Sequence, residues 1–306
     1  MRVIVPPLKS QGIKTKLVPW IRDLAPAFKG RWIEPFLGTG VVALNCGCSQ
    51  AVLGDINPHI IRLYQAIQSG EITPGSVRKY LEKEGAILSA SDEAGYAHFR
   101  FLRDRFNAEH NPLDLIFLSR AGFNGMMRFN RKGAWNIPFC KKPERFAPAY
   151  ITKIVNQVED AAKIIQPDWR FITADFETII KMAGPDDLIY CDPPYLGRHV
   201  DYFSNWTEDD ERRLSALLSA TPAKFILSTW HHNDYRNNEA IPAYWSQFNV
   251  ITRDHFYHTG GKLENRRSVV EALIFNFQAN MPEHTQKPAP RFRQYDLFAE
   301  LVAEVA

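Results

Sequence analysis

Apolar and polar positions follow two regimes along the chain. Trp32-Ile33-Glu34-Pro35-Phe36 is a short apolar run closed by Gly38-Thr39-Gly40. It predicts a strand, a glycine turn and an apolar helix from Val41 to about Cys46. Residues 51–55 predict a second strand. Asn57-Pro58 opens a helix to about Ser69, with proline where its missing N–H costs nothing. A short helix is predicted over 16–28. Strand, glycine turn, helix, strand, helix is the opening of a doubly wound α/β fold.

Between about 70 and 147 the spacing becomes helical, over 74–84, 92–110 and 112–121. Residues 122–142 are polar and rich in Gly and Arg, and read as a loop or hairpin. No buried parallel strand is predicted in this block, so it reads as an inserted domain. The α/β pattern resumes at Pro148 with a helix to about Ile165 and a strand over 169–173. Residues 187–191 form an apolar strand of the kind buried on both faces. A helix over 207–219 starts at Thr207, three residues before Asp210, a capping signal. A strand over 224–228 follows. Two last strands, near 247–254 and 268–277, flank a polar loop and suit an antiparallel pair. Residues 281–293, rich in Pro, Gln and Arg, read as an exposed linker. Residues 1–69 and 148–280 thus form one α/β domain, 70–147 a second, and 281–306 a linker and tail.

Composition narrows the class. With 306 residues, 45% hydrophobic and 23% charged, the chain is ordinary for a globular protein and unlike a disordered or collagenous one. No run reaches the ~18 apolar residues of a membrane span. The apolar stretch at the start is too short for a signal peptide, so a cytoplasmic location is expected. Four cysteines make no disulfide framework, and Cys46-Gly47-Cys48 has no histidine cluster nearby, so no metal is expected. Net charge is only +3, but residues 1–31 hold seven basic side chains against Asp23, and residues 128–145 hold six against Glu144. Such clusters suit a polyanion groove or two solvated faces.

The sharpest chemical signal is Asp192-Pro193-Pro194-Tyr195, directly after the apolar strand 187–191. Open α/β sheets bind ligands outside the carboxyl ends of their strands. Two prolines stop the strand and remove two backbone donors. A rigid turn remains that offers a carboxylate, carbonyls and an aromatic face. It can accept from an NH2 group and stack a planar ring. A second signal is Glu34-Pro35-Phe36-Leu37-Gly38-Thr39-Gly40, whose glycines would let backbone N–H groups face a ligand. It is neither a Walker loop nor a full dinucleotide fingerprint. Asp55, at the end of the next strand, suits ribose hydroxyls, or else caps the helix that follows.

These segments resemble the Dam-type (class alpha, D12) DNA adenine-N6 methyltransferases. The resemblance runs in order through Leu8–Lys14, the glycine loop, Gly54-Asp55-Ile56-Asn57, Phe123–Asn130, Trp135–Phe139 and Asp192–Tyr195. It implies a Rossmann-like methyltransferase sheet with an inserted, mainly helical target-recognition domain. It implies methyl transfer from S-adenosylmethionine to N6 of a flipped-out adenine in a short duplex DNA site, GATC or a related sequence. Glu34, Pro35, Phe36, Gly38, Gly40, Asp55 and Ile56 would then hold the cofactor, with Lys14 near its methionine end and Asp175 and Phe176 flanking its adenine. Asp192 and the Pro193 carbonyl would accept from the target amine, with Pro194 holding the turn and Tyr195 stacking on the base. In the insert, Arg128 would read a guanine, while Met126 and Pro138 would approach a thymine methyl. Lys9, Asn124, Asn130 and Arg131 would serve the same groove, and Lys132, Lys141 and Lys142 would touch phosphates or remain solvated charges.

Ser10, Gln11 and Ile13 replace the aromatic and glycines usual in the family segment, and Cys140-Lys141-Lys142 replaces a glycine and basic-aromatic pair. In the tail, Gln294-Tyr295-Asp296-Leu297-Phe298 resembles the peptide that docks bacterial proteins on the sliding clamp; Gln294, Leu297 and Phe298 would make the contacts. The other reading is a terminal helix packed on the domain. A monomer is expected. Two further functional readings stay open: an adenine-N6 methyltransferase of structured RNA, and a non-catalytic DNA-binding derivative.

Overall fold

The computed structural model describes residues 2–10, 12–130, 132–196, 206–256 and 268–279. Arg131 and the tail residues Gln294, Leu297 and Phe298 lie outside the described residues.

The elements run α1 (Val18–Leu24), β1 (Trp32–Glu34), β2 (Ala51–Asp55), α2 (Pro58–Gln68), α3 (Pro74–Leu88), α4 (Asp92–Glu109), α5 (Pro112–Ala121) and α6 (Pro148–Ile164). After these come β3 (Arg170–Thr173), α7 (Phe176–Ile180), β4 (Leu188–Cys191), α8 (Glu208–Ala220), β5 (Lys224–Asn233), α9 (Ala240–Tyr244), β6 (Asn249–Phe256) and β7 (Ser268–Phe275). The seven strands form one sheet in the order β3-β2-β1-β4-β5-β7-β6. β1 to β5 are parallel, with Ile33 opposite both Val52 and Ile189. β7 pairs antiparallel with β5 and with β6. This is a Rossmann-like α/β sheet with an antiparallel edge pair. Its strand order reverses between β1 and β4, and crevices at such reversals are where doubly wound folds take ligands.

Side-chain period two builds two cores. Trp32, Leu53, Leu188, Tyr190 and Ile226 face a core shared with α1, α2 and α6. Ile33, Val52, Ile189, Cys191, Phe225 and Leu227 face the other, closed by α7, α8 and α9. Residues of β1 and β4 are fully buried because helices cover both faces.

Start and stop signals account for most helix ends. Asn57, Thr73, Ser91, Asn111 and Thr207 each accept a backbone N–H at a helix start, and proline follows at three of the five. The expected helix after the glycine loop is only a 3-10 turn, Ala43–Asn45. Asn45 there exchanges hydrogen bonds with the Ile4 backbone, at 2.9 Å each way, and ties the N-terminal segment to the sheet. The short α7 and α9 lie where no helix is expected. At five residues each they are below any readable period.

α3, α4 and α5 pack on α2 and α6, and their apolar faces join the core of that sheet face. Fully buried Asp114 draws them together by accepting from Arg105 and from the Tyr80 hydroxyl. The segment after α5 turns back on itself through the antiparallel bridges Gly122↔Phe139 and Phe129↔Trp135. Asn107 of α4 pins it by bonding both the Trp135 N–H (2.7 Å) and its carbonyl (3.2 Å). His59 of α2 stacks on Phe129 with ring centres 5.1 Å apart.

Candidate active site

A cleft of about 250 Å³ opens at the carboxyl ends of β1, β2, β3 and β4. One wall is the glycine loop, with Pro35, Phe36 and Gly38. A second is Asp55, Ile56 and Asn57 after β2. Asp175 and Phe176 close it after β3, and Asp192 and Pro194 after β4. Met127 and Phe129 of the folded-back segment and Ser10 of the N-terminal segment complete the lining. The tertiary structure thus brings residues from four strand ends and from the helical block to one space.

The glycine loop works through its shape. Gly38 and Gly40 have positive φ, 51° and 73°. A Cβ on Gly40 would lie 2.8 Å from the Tyr64 hydroxyl, so only glycine fits there. Both glycine N–H groups, expected to face a ligand, are instead used within the loop. Gly38 N donates to Asp55 Oδ2 at 2.8 Å, and Gly40 N donates to the Leu37 carbonyl at 2.8 Å. Asp55 Oδ1 accepts from Asn57 N at 2.8 Å, while Asn57 itself caps α2. Asp55 therefore clamps the glycine loop to the start of α2. Burial pushes its carboxyl up to about 6, against two backbone donors that pull it down. Each carboxylate oxygen keeps a further lone pair for a ligand hydroxyl. Glu34 is buried, accepts from Trp32 Nε1 at 2.8 Å, and is held well above the usual carboxylate range by burial. It supports the wall from behind.

One end of the cleft is aromatic. Phe36 and Phe176 stack with centres 5.5 Å apart, and Trp206 approaches both at about the same distance. Asp175 caps α7, accepting from Glu177 N at 2.9 Å, and pairs with Arg213 at 3.2 Å. Trp206 is held by its Nε1 donating to Glu211 at 2.7 Å. Sequence reasoning missed Trp206, although it immediately precedes the Thr207 cap.

The other end carries the ionic cluster. Lys14 Nζ sits 2.9 Å from Asp192 Oδ1, with side-chain exposures of 6% and 23%. The same ammonium donates to the Tyr195 hydroxyl at 2.8 Å. Tyr195 in turn donates to Glu271 Oε2 at 2.7 Å. Burial raises the Asp192 carboxyl, Lys14 opposes that, and the Glu271 charge adds to it. Lys14, expected at the cofactor's methionine end, bridges Asp192 and Tyr195.

The described residues expected at DNA lie in the N-terminal segment and in the segment after α5. Lys9 is exposed and lies over Gly125, where a Cβ would come within 2.5 Å of its Cδ and Cε. Asn124 falls in the 3-10 turn Phe123–Gly125. Arg128 Nε donates to Asn136 Oδ1 at 2.9 Å. Asn130 accepts from Lys132 N and Ala134 N, so its side chain shapes the turn. Met126 packs partly against the core. Pro138, Lys132, Lys141 and Lys142 are exposed.

Residues 10–259 match the model of the D12 class N6 adenine-specific DNA methyltransferase. The chain belongs to this family. It is 32% identical over 195 residues to the DNA adenine methylase of Haemophilus influenzae, covering 62% of this chain and 63% of that protein. It is 28% identical over 283 residues to the type II methyltransferase M.FokI of Planomicrobium okeanokoites, covering 89% of this chain but 42% of that protein. A DNA adenine methylase of Vibrio cholerae is 26% identical over 277 residues, covering 87% and 95%. The chain thus spans less than two thirds of the length of the first two. The D12 match takes in the cleft, the helical block and the ionic cluster up to the turn after β4. Glu271 lies beyond the matched span. Among the described residues, no helix is long and apolar enough to cross a membrane.

Proposed function

We propose that this chain transfers a methyl group from S-adenosylmethionine to N6 of an adenine flipped out of a short duplex DNA site. The observation that carries the reading is the cleft itself. The Asp192-Pro193-Pro194 turn opens onto the same space as Asp55 and the Phe36–Phe176–Trp206 aromatic end. A D12-family chain with that juxtaposition has a nucleoside site and an amine acceptor side by side.

The residues fit a methyl donor of this kind. Asp55 retains lone pairs for ribose hydroxyls, and the aromatic end offers apolar faces to a purine. When bound, the cofactor supplies an electrophilic methyl on a sulfonium. The chain does the rest by binding and orientation. Adenine N6 is a poor nucleophile because its lone pair is delocalised into the ring. Asp192 and the Pro193 carbonyl accept hydrogen bonds from its two N–H groups, draw the nitrogen toward tetrahedral geometry and localise that lone pair. Extrusion of the base costs a few kcal/mol of unstacking, which stacking on Tyr195 partly offsets. Lys14 pairs with Asp192 at 2.9 Å, so the target amine must displace that contact or share the carboxylate.

The division of labour follows the expected boundaries. Residues 1–69 and 148–280 bind cofactor and target base, and 70–147 read the site. Arg128 reads a guanine, with Asn136 holding its guanidinium ready. Lys9 over Gly125 reaches a neighbouring base or phosphate. The tail peptide at Gln294, Leu297 and Phe298 docks on a sliding clamp; Leu297→Ala with Phe298→Ala then abolishes clamp capture without changing turnover on short duplexes.

The deciding experiment is transfer of labelled methyl from S-adenosylmethionine to unmethylated duplex DNA, followed by mapping of the modified bases. N6-methyladenine in one short motif supports the reading and supplies the site. Label only in RNA, or cofactor binding without transfer to either, would overturn it.

A further inference from the structure

Behind Asp192 and Tyr195 lies an acid that the proposed reaction does not use. Glu271 is in the middle of β7, 0% exposed, opposite Trp230 of β5 and Arg253 of β6. Its strand otherwise reads Val269, Val270, Ala272, Leu273, Ile274 and Phe275. A carboxylate among such neighbours is costly unless it is paired and hydrogen-bonded. One partner is the Tyr195 hydroxyl, 2.7 Å away, and the Glu271 charge also acts on His255. That hydroxyl also accepts from Lys14 at 2.8 Å, and Lys14 reaches Asp192 at 2.9 Å. The Lys14 ammonium also lies 4.8 Å from the centre of the Tyr195 ring. Three distant parts of the chain thus form one line, Asp192–Lys14–Tyr195–Glu271, in which Lys14 pairs with Asp192 directly and reaches Glu271 through the tyrosine hydroxyl. Glu271 does not line the cleft.

We propose, resting on the methyltransferase reading, that Glu271 is a positioning residue that anchors Tyr195 by its hydroxyl and lets Lys14 release Asp192 to the target amine. The argument has two parts. An aromatic ring that receives a flipped base must be fixed in both of its side-chain torsions. Holding the hydroxyl at the far end of the ring fixes the first torsion and biases the second through the in-plane preference of its hydrogen bonds, and a buried, charged acceptor holds it most firmly. Second, a lysine that leaves Asp192 needs another anion within reach. The Tyr195 hydroxyl, polarised by Glu271, keeps the ammonium in place without a carboxylate of its own. With Glu271 neutral, Asp192 is the only full anion in the line, so Lys14 stays on it and the acceptor is blocked.

The test compares wild type, Glu271→Gln, Tyr195→Phe and the double variant. Methyl transfer to duplex DNA is measured as kcat and KM, and extrusion of the base as fluorescence of 2-aminopurine at the target position. Glutamine keeps the shape and an acceptor for the tyrosine but removes the charge. We expect kcat for Glu271→Gln to fall roughly tenfold, and the double variant to lie within about twofold of the worse single, because both act through one hydroxyl. The 2-aminopurine signal falls in step. Losses that multiply in the double variant would overturn the inference, as would a Glu271→Gln change confined to Tm. Tyr195→Phe keeps the ring and removes only the link, so wild-type kcat in that variant overturns the inference even if no Glu271 variant folds. Wild-type transfer is the control. Its absence removes the enzyme reading and this inference together, whereas multiplicative losses beside normal wild-type transfer remove this inference alone.

Discussion

Asp192→Asn separates the charge of the proposed acceptor from its shape. In the folded protein Asp192 Oδ1 and Lys14 Nζ are 2.9 Å apart. Their attraction is about 6 kcal/mol gross at an effective dielectric of about 20. Both groups are largely out of water, so desolvation cancels much of that. Asparagine keeps a neutral oxygen at the same place, and the Tyr195 hydroxyl still accepts from Lys14. The net cost to folding should therefore be about 1–3 kcal/mol, the range for leaving a buried polar group poorly satisfied, and Tm should drop by a few degrees. The cost to reaction is larger. The site loses a charged acceptor aimed at the amine and gains an NH2 group that faces it. Loss of one preorganised polar contact to a transition state lowers kcat by ~10²–10³. The assay is single-turnover methyl transfer at saturating cofactor and DNA, with cofactor Kd and Tm measured on the same preparation. A kcat less than tenfold below wild type, with both ligands bound normally, would refute the role given to Asp192.

Other outcomes follow from the same geometry. The Asp55 carboxyl sits at about 6, so cofactor binding should weaken as pH falls through 6, up to tenfold per unit, and Asp55→Asn should flatten that profile. For folding the sign is reversed: the raised value favours the protonated form, so this group stabilises most below its unfolded pKa near 4 and loses that contribution as pH rises through 6, which thermal melts of wild type against Asp55→Asn can read. Arg128→Ala should relax discrimination at one base pair, whereas Lys141→Ala should weaken all sequences alike and flatten the salt dependence; equal loss on every site for Arg128→Ala removes the base-reading role. Asp114→Ala should lower stability by about 3–5 kcal/mol in denaturant titration, because it strips the acceptor from Arg105 and Tyr80 at a fully buried site. A change under 1 kcal/mol would mean that these contacts do not hold α3, α4 and α5 together.

Local chemistry made much of this legible. Strand β4 and the turn after it were readable because an unbroken apolar run met two prolines, and no tertiary contact is needed to stop a strand there. Helices α2 to α6 were readable from period and caps. The five-residue helices were not, since one and a half turns show no period and are stabilised by packing. β5 continues five residues past its apolar stretch because β7 pairs with it across a bulge at Trp230/His232, a contact far away in sequence.

Most of the elements, the family and the rigid turn at Asp192–Tyr195 were legible in short local segments of the chain. Their partnerships depend on the fold. It turned the glycine-loop N–H groups toward Asp55 and the loop's own carbonyl, since a buried donor must find an acceptor and Asp55 is the nearest. It placed Lys14 on Asp192, 178 positions along the chain, and Glu271 behind Tyr195. Glu271 is a lone acid in an apolar strand, a pattern that by itself points to no partner. That it faces a tyrosine hydroxyl and not water is a property of sheet register, which sets which side of a strand each residue meets.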